Sequence, residues 1–214
     1  MKELNVRLTL EEEVLGSWPS DPTIYDSYVN SKNPNKEKAE EESENFKANI
    51  SEDSKITIFP RDEIGNPIIY DYQIKGFFKD ACSMLNRVSA KDPETGKKKP
   101  TNESSKLTAY KKIIDGLIFP TPRKIHFRNF DRIGNCQRPL RISDANGERV
   151  ALASSETIPA GATIDFTICM LSDEHEKAVR EWLDYGKFRG LLQWRNSGKG
   201  RFSWEEIEKS EMNS

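Results

Sequence analysis

The stretch ATIDFTICMLSDEHEKAVREWLDYG, residues 162–186, encodes a strand followed at once by a helix. Its first part alternates apolar and polar residues, the period of a strand with one buried face. The residues of that face are Ile164, Phe166, Ile168 and Met170. After Ser172, a helix-capping residue, apolar residues recur at helical spacing, and Gly186 is placed to end the helix. This apolar stripe consists of Ala178, Val179, Trp182 and Leu183.

Strand and helix patterns continue toward both termini. Alternating apolar residues near the N-terminus predict a first strand, and they are Leu4, Val6, Leu8 and Leu10. Residues 56–72 hold two apolar runs separated by a Gly-Asn-Pro turn, residues 74–88 have helical spacing, and residues 106–114 predict a short helix. Further strand patterns occur at residues 123–127, 137–142 and 149–158, and residues 202–208 fit a last strand or helix. The chain is therefore an α+β protein with a sheet-rich second half.

Composition limits the size of the core. Of the 214 residues, 35% are hydrophobic and 32% charged, which favours one domain, residues 1–214, with a thin two-layered core. Residues 31–55 carry seven acidic and five basic side chains with few apolar anchors, so residues 20–55 are predicted to be a charged helical insertion. Residues 89–105 have almost nothing to bury and predict an exposed, mobile loop.

The chain shows no membrane, metal or disulfide signature. Its apolar runs are far shorter than a membrane span, and the N-terminus lacks the apolar region of a signal peptide. Three cysteines are odd in number and widely spaced, which predicts reduced thiols in a cytoplasmic protein. The two histidines lack the spacing of a metal site, so no cofactor is expected.

A glycine-rich segment, GKFRGLLQWRNSGKGRF at residues 186–202, contains no acidic residue. Its cations are Lys187, Arg189, Arg195, Lys199 and Arg201, and its later glycines are Gly190, Gly198 and Gly200. Cations and exposed backbone amides together suit a phosphate chain, and Trp194 offers a face for stacking a base. The segment is not a P-loop, because a glycine stands where that motif needs Ser or Thr. Two alternatives stay open: a solvated hairpin, and a tryptophan that caps the core.

Four segments, in order, carry the pattern of a known family. They are VRLTLEEEVLGSWP (6–19), FPRDEIGNPIIYDYQIKGFFKDACSML (59–85), SSETIPAGATIDFTICML (154–171) and GKFRGLLQWRNSGKGRF (186–202). Through them the chain resembles the RAMP superfamily, the ferredoxin-like proteins that form backbone subunits of CRISPR effector complexes, and in particular the type III backbone subunit. The resemblance covers nearly the whole chain outside residues 20–55 and 89–105.

This resemblance implies a ferredoxin-like antiparallel sheet with helices on one face. It implies that single-stranded RNA is a ligand, gripped by Lys75 and Gly76 at a helix N-terminus and by the glycine-rich segment beside it. Further cations expected along this track are Lys79, Arg138 and Arg141. It also implies partners: copies of this chain assembled head to tail, or other CRISPR effector subunits.

Three functional hypotheses follow. In the leading one the chain is a non-catalytic RNA-binding subunit, because the family's RNA-cutting aspartate is matched only loosely by Asp21 or Asp26, and Tyr70–Gln73 replaces the family's small residues. The second is a protein-interaction module, such as a phage-borne mimic or inhibitor of a CRISPR effector that acts through residues 31–55. The third is an endoribonuclease that uses Asp21 or Asp26.

Overall fold

The computed structural model describes residues 1–20, 56–88, 90–91, 98–144 and 147–212. Its strands and helices are, in chain order, β1 (Lys2–Leu10), β2 (Val14–Leu15), β3 (Trp18–Pro19), β4 (Ile56–Ile58), β5 (Ile68–Tyr70), α1 (Asp71–Leu85), β6 (Ala90–Lys91), β7 (Lys98–Lys99), α2 (Glu103–Lys106), α3 (Tyr110–Leu117), β8 (Ile118–Thr121), β9 (Lys124–Arg128), β10 (Gly134–Asp144), β11 (Gly147–Ile158), β12 (Thr163–Met170), α4 (Glu176–Tyr185) and β13 (Phe202–Glu206). Residues 21–55 of the predicted insertion lie outside the described residues.

The first sheet has the order β13-β1-β12-β9-β5, and β8 also pairs with β12. Strand β1 lies antiparallel to both β12 and β13, with Val6 opposite Phe166. With α1 between β1 and β8, and α4 between β12 and β13, the elements follow the β-α-β-β-α-β order of a ferredoxin-like fold. The predicted α+β, ferredoxin-like class is confirmed.

One face of this sheet supplies the core. The apolar residues predicted for β1 and β12 are all at most 2% exposed, and the stripe predicted for α4 is buried as well. Phe77 and Phe78 of α1 contact Phe202 and Trp182, which joins the two helices to the sheet. The sequence predicts a helix directly after Ser172, but Asp173–His175 forms a 3₁₀ turn and α4 starts at Glu176. Its end at Gly186 agrees with the prediction.

A second sheet has the order β10-β11-β4-β3, with β2 also pairing β11. Its main element is the long antiparallel hairpin of β10 and β11. The two apolar runs of residues 56–72 therefore do not pair strand with strand, because β4 enters the second sheet while β5 joins the edge of the first. Val14, Phe59 and Ile158 belong to the same core cluster as the first sheet, so the two sheets share one hydrophobic core.

Contrary to the predicted loop over residues 89–105, the described residues of this range include regular structure near both ends. Strands β6 and β7 form a small hairpin, and α2 starts at Glu103. Ser104 is fully buried, where its hydroxyl donates to Glu181 and accepts from Nε1 of Trp182. A polar-looking sequence is thus held in place by hydrogen bonds to α4, which no local pattern reveals.

Helix α1 begins earlier than predicted. Its first residue is Asp71, and Oε1 of Gln73 accepts a hydrogen bond from the backbone nitrogen of Tyr70 at 2.9 Å. Gln73 thereby satisfies a backbone donor just before the first turn, which stabilises the earlier start. Lys75 and Gly76 consequently lie in the second turn of α1 and not at its N-terminus.

None of the described helices is both long and apolar enough to cross a membrane.

Candidate nucleic-acid interface

Residues 187–201, here called the glycine loop, connect α4 to β13 and fold back on themselves. A Cβ added to Gly190 would lie 2.1 Å from the carbonyl oxygen of Lys199 and 2.5 Å from the nitrogen of Arg201. The nitrogen of Leu191 donates to the carbonyl of Gly200 at 2.9 Å, and Leu191 is fully buried. Only glycine fits at position 190, because the two arms of the loop touch there through their backbones.

The turn between β1 and β2 anchors the end of the loop. The nitrogen of Gly200 donates to the carbonyl of Glu13 at 2.8 Å, in a left-handed conformation with φ of +71° that favours glycine. Lys199 pairs with Glu13 at 2.8 Å, a hydrogen bond that raises the pKa of the lysine. Arg201 pairs with Glu12 at 3.3 Å. These two cations therefore act mainly to hold the loop.

Asp80 of α1 forms ion pairs with two more cations of the loop. Arg195 donates to Oδ2 of Asp80 at 2.8 Å, and Arg189 binds the same carboxylate through Nε and Nη2. Arg189 also donates to Oδ1 of Asn196 at 3.1 Å, and its hydrogen bond to Asp80 raises its pKa further. Two guanidinium groups thus share one carboxylate, which leaves the cluster with a net positive charge.

Arg138 of β10 reaches the same loop from the second sheet. It is 9% exposed, and its Nη2 donates to Oε1 of Gln193 at 2.8 Å. Gln193 in turn donates to the carbonyl of Gly16 at 3.0 Å. Nε and Nη1 of Arg138 are buried without a hydrogen-bond partner, and the guanidinium lies 5.1 Å from the ring centre of Trp194. Within the described part of the chain, this cation has a neutral amide and an indole as neighbours but no carboxylate.

Trp194 is 39% exposed and sits in a left-handed backbone conformation with φ of +54°. Leu192 also has a positive φ, of +58°. Non-glycine residues in this region cost on the order of 1–3 kcal/mol each, so the surrounding contacts must fix the loop in this shape. The residues around Trp194 line an open, shallow cavity of about 220 Å³, and they are Arg189, Leu192, Trp194, Arg195 and Asn196.

The cations predicted on α1 are directed elsewhere. Nζ of Lys75 donates to the carbonyl of Asp115 at 3.1 Å and lies 4.3 Å from the ring centre of Phe119, and partial burial lowers its pKa. Lys79 pairs with the Asp115 carboxylate at 2.6 Å. Both lysines thus contact α3, and Lys75 also contacts β8, while the next residue, Asp80, pairs with cations of the glycine loop.

Other predicted residues stand as follows. Gly76 is exposed, and a Cβ there would meet nothing within 4 Å, so no close approach requires glycine. Lys187 is exposed and forms no ion pair within the described residues. Gly198 has φ of +81° in the turn that leads to Lys199. The backbone of Arg141 lies in β10, and its side chain is outside the described part of the structure. Asp21 and Asp26 also lie outside it.

Sequence reasoning missed the partners of the loop. Asp80, Glu12 and Glu13 neutralise its cations, and Gln193 holds Arg138. These residues come from α1, from the β1–β2 turn and from the loop itself, and no spacing along the chain relates them. Across residues 1–20, 56–88, 90–91, 98–144 and 147–212, no group of three or more His, Cys, Asp or Glu side chains is arranged to hold a metal ion.

Sequence comparison finds no matching family model and no matching curated protein. In structure, the chain is similar to a chain of the type III-B Cmr-beta complex bound to cognate target RNA, with a TM-score of 0.52 and 14% identity, covering 96% of this chain and 59% of that one. It is also similar to a chain of a type IV-B CRISPR complex, with a TM-score of 0.51 and 12% identity, covering 100% of this chain and 93% of that one. The chain therefore has a CRISPR effector-like fold, and it spans about three fifths of the length of the type III-B chain.

Proposed function

We propose that this chain is a non-catalytic, RNA-binding subunit of a CRISPR-type effector complex. Support comes first from the fold, which resembles chains of two CRISPR complexes over at least 96% of this chain. One of those complexes is described as bound to target RNA. As a subunit of such a complex, the chain would also contact other protein subunits or further copies of itself.

The observation that carries the proposal is the charge gathered around the glycine loop. Six cations meet three carboxylates there, which leaves an excess of three positive charges. The cations are Lys187, Arg189, Arg195, Lys199, Arg201 and Arg138, and the carboxylates are Glu12, Glu13 and Asp80. Such a cluster, held in a fixed shape, attracts the phosphates of a nucleic acid without reading its sequence.

Five of these six cations divide into two roles, and the sixth, Arg138, is buried. Lys199 and Arg201 are tied to the β1–β2 turn, and Arg189 is tied to Asp80, so these three fix the shape of the loop. Lys187 is exposed, and Arg195 uses one of its nitrogens on Asp80 while its side chain stays 30% exposed. Lys187 and Arg195 are therefore the residues that would reach the phosphates.

The test is a titration of labelled single-stranded RNA, single-stranded DNA and duplex at several salt concentrations. A Lys187→Ala/Arg195→Ala variant is compared with a Lys106→Ala/Lys209→Ala control, which removes the same charge from exposed side chains away from the loop. For single strands, each lost phosphate contact reduces the slope of log affinity against log salt by about 0.7. We expect the loop variant to lose about 1.4 of slope and the control to lose none.

Equal losses in the two variants would show that net charge alone attracts RNA and would contradict the role of the loop. Failure of the wild-type protein to bind any of the three nucleic acids would overturn the proposal. That result would turn the search toward protein partners.

A further inference from the structure

Two arginine–tryptophan pairs occur among the described residues, and they differ in how the charge is compensated. Arg180 lies 5.6 Å from the ring centre of Trp204 and donates to the carboxylates of both Glu176 and Glu206. Nε1 of Trp204 donates to Asp184 at 2.8 Å. This pair is fully satisfied within the protein, as is usual for a structural contact.

The pair of Arg138 and Trp194 is not satisfied in this way. Arg138 is nine-tenths buried, yet its one hydrogen-bond partner among the described residues is the neutral amide of Gln193. Burying a cation without an anion is costly unless a partner arrives. The charge of Arg138 is therefore uncompensated beside Trp194, and it attracts negatively charged groups to this part of the protein.

The neighbourhood of Trp194 fits a ligand with a flat ring. The indole is 39% exposed although the loop fixes its backbone, and it lines the cavity of about 220 Å³ together with Arg189 and Arg195. This volume is smaller than the roughly 300–1,000 Å³ of pockets for whole drug-sized ligands. It suits a small flat group, and stacking of a base on an aromatic ring does not depend on sequence.

We propose that Trp194 is the stacking site for one nucleotide of the bound single-stranded RNA, with the base on the exposed part of the indole and its phosphate at Arg195. This inference rests on the proposed function, because it assigns one subsite of the RNA. It differs from the phosphate grip of the loop in that it requires a base. The two can therefore be separated with a strand that keeps its phosphates and lacks its bases.

The experiment measures the affinity of the full chain for an oligouridine and for an abasic strand of equal length, at several salt concentrations. Trp194→Leu removes the aromatic face and Trp194→Phe retains one. Trp204→Leu is the matched control, because it removes the indole that contacts Arg180, whose charge is compensated by Glu176 and Glu206. Base–aromatic stacking of about 1–3 kcal/mol corresponds to about a 5- to 150-fold change in affinity.

We expect Trp194→Leu to weaken binding of oligouridine by this factor and binding of the abasic strand by less than twofold. Trp194→Phe should retain most of the affinity, and Trp204→Leu should change neither strand. The slope against salt should stay unchanged in Trp194→Leu if the phosphate contacts persist.

Equal weakening of both strands by Trp194→Leu would mean that the indole only supports the loop, and it would overturn the stacking site while the proposed function stands. Equal affinity of the wild-type protein for oligouridine and the abasic strand would also overturn the stacking site. This comparison uses only the wild-type protein, so it does not depend on the folding of a variant. Absence of any binding by the wild-type protein would overturn the proposed function and the stacking site together.

Discussion

Replacing Gly190 by alanine should force the glycine loop open. A Cβ at this position would lie 2.1 Å from the oxygen of Lys199 and 2.3 Å from the carbonyl carbon of Gly200, whereas real Cβ contacts essentially never fall below 3.0 Å. The obstacle is backbone, so no side chain can turn away to relieve it. The two arms must separate by about 0.9 Å, the difference between 3.0 and 2.1 Å.

The loss of stability in Gly190→Ala can be worked out from the contacts that weaken when the two arms of the loop separate. Overpacking of this kind costs about 1–3 kcal/mol. The hydrogen bond of 2.9 Å between the nitrogen of Leu191 and the carbonyl of Gly200 contributes about 0.5–1.5 kcal/mol, and part of it is lost. We therefore expect the free energy of unfolding to fall by about 1–4 kcal/mol.

Gly76→Ala is the matched control. It makes the same chemical change at a solvent-exposed position in the middle of α1, where a Cβ meets nothing within 4 Å. Alanine in a helix should raise the free energy of unfolding by about 0.5–1 kcal/mol relative to glycine. The two variants should thus differ from wild type in opposite directions.

Urea unfolding followed by far-ultraviolet circular dichroism measures both free energies, and an unchanged m-value shows that the comparison is valid. If Gly190→Ala lost less than 1 kcal/mol, the close approach of the two loop arms would be wrong. If both variants were destabilised equally, the effect would belong to glycine in general and not to the loop.

Three further predictions concern buried polar groups and thiols. Asp80→Asn should lower the free energy of unfolding by about 1–2 kcal/mol, because the carboxylate of Asp80 pairs with two arginines. This destabilisation should be smaller in 1 M salt, which screens ion pairs. The same destabilisation at all salt concentrations would contradict an ionic role of Asp80. Burial opposes ionisation of Asp62, but hydrogen bonds from Asn66 and from the backbone lower its pKa below the ordinary value of 3.8. The charged carboxylate therefore stabilises the fold above pH 3.8. This stabilisation is lost as the pH falls through the pKa of Asp62 in the folded protein. Asp62→Asn should therefore destabilise the protein at pH 7 in urea unfolding and converge with wild type at low pH, and a constant difference would refute this. Burial raises the pKa of Cys82 to about 11, whereas Cys136 and Cys169 are partly exposed. Iodoacetamide should therefore alkylate Cys136 and Cys169 in the native protein and Cys82 only in urea, as peptide mass spectrometry can show.

The periodic elements could be predicted from the sequence because their signals are local. The alternation in β1 and β12 and the helical stripe of α4 depend on residues two to four positions apart, and the structure buries the residues that these patterns select. The position of the glycine loop between α4 and β13 was equally clear, because glycines and cations are concentrated there.

The pairing of charged side chains could not be predicted in this way. Lys75 and Lys79 carry the same charge as Arg195, yet they contact Asp115, while Arg195 meets Asp80. Adjacent residues on a helix point about 100° apart, so the exact rotation of α1 against its neighbours decides which side chain faces the loop.

Sequence alone thus determined the α+β class, the order of the main elements and the segment with the greatest positive charge. Tertiary structure alone decided that, within the described part of the chain, four of the five loop cations have carboxylate partners and Arg138 lies buried beside Trp194 without one. The physical reason is the separation along the chain of the residues that interact. Secondary structure follows from neighbours along the chain, whereas the compensation of a charge depends on groups that only the folded chain brings together.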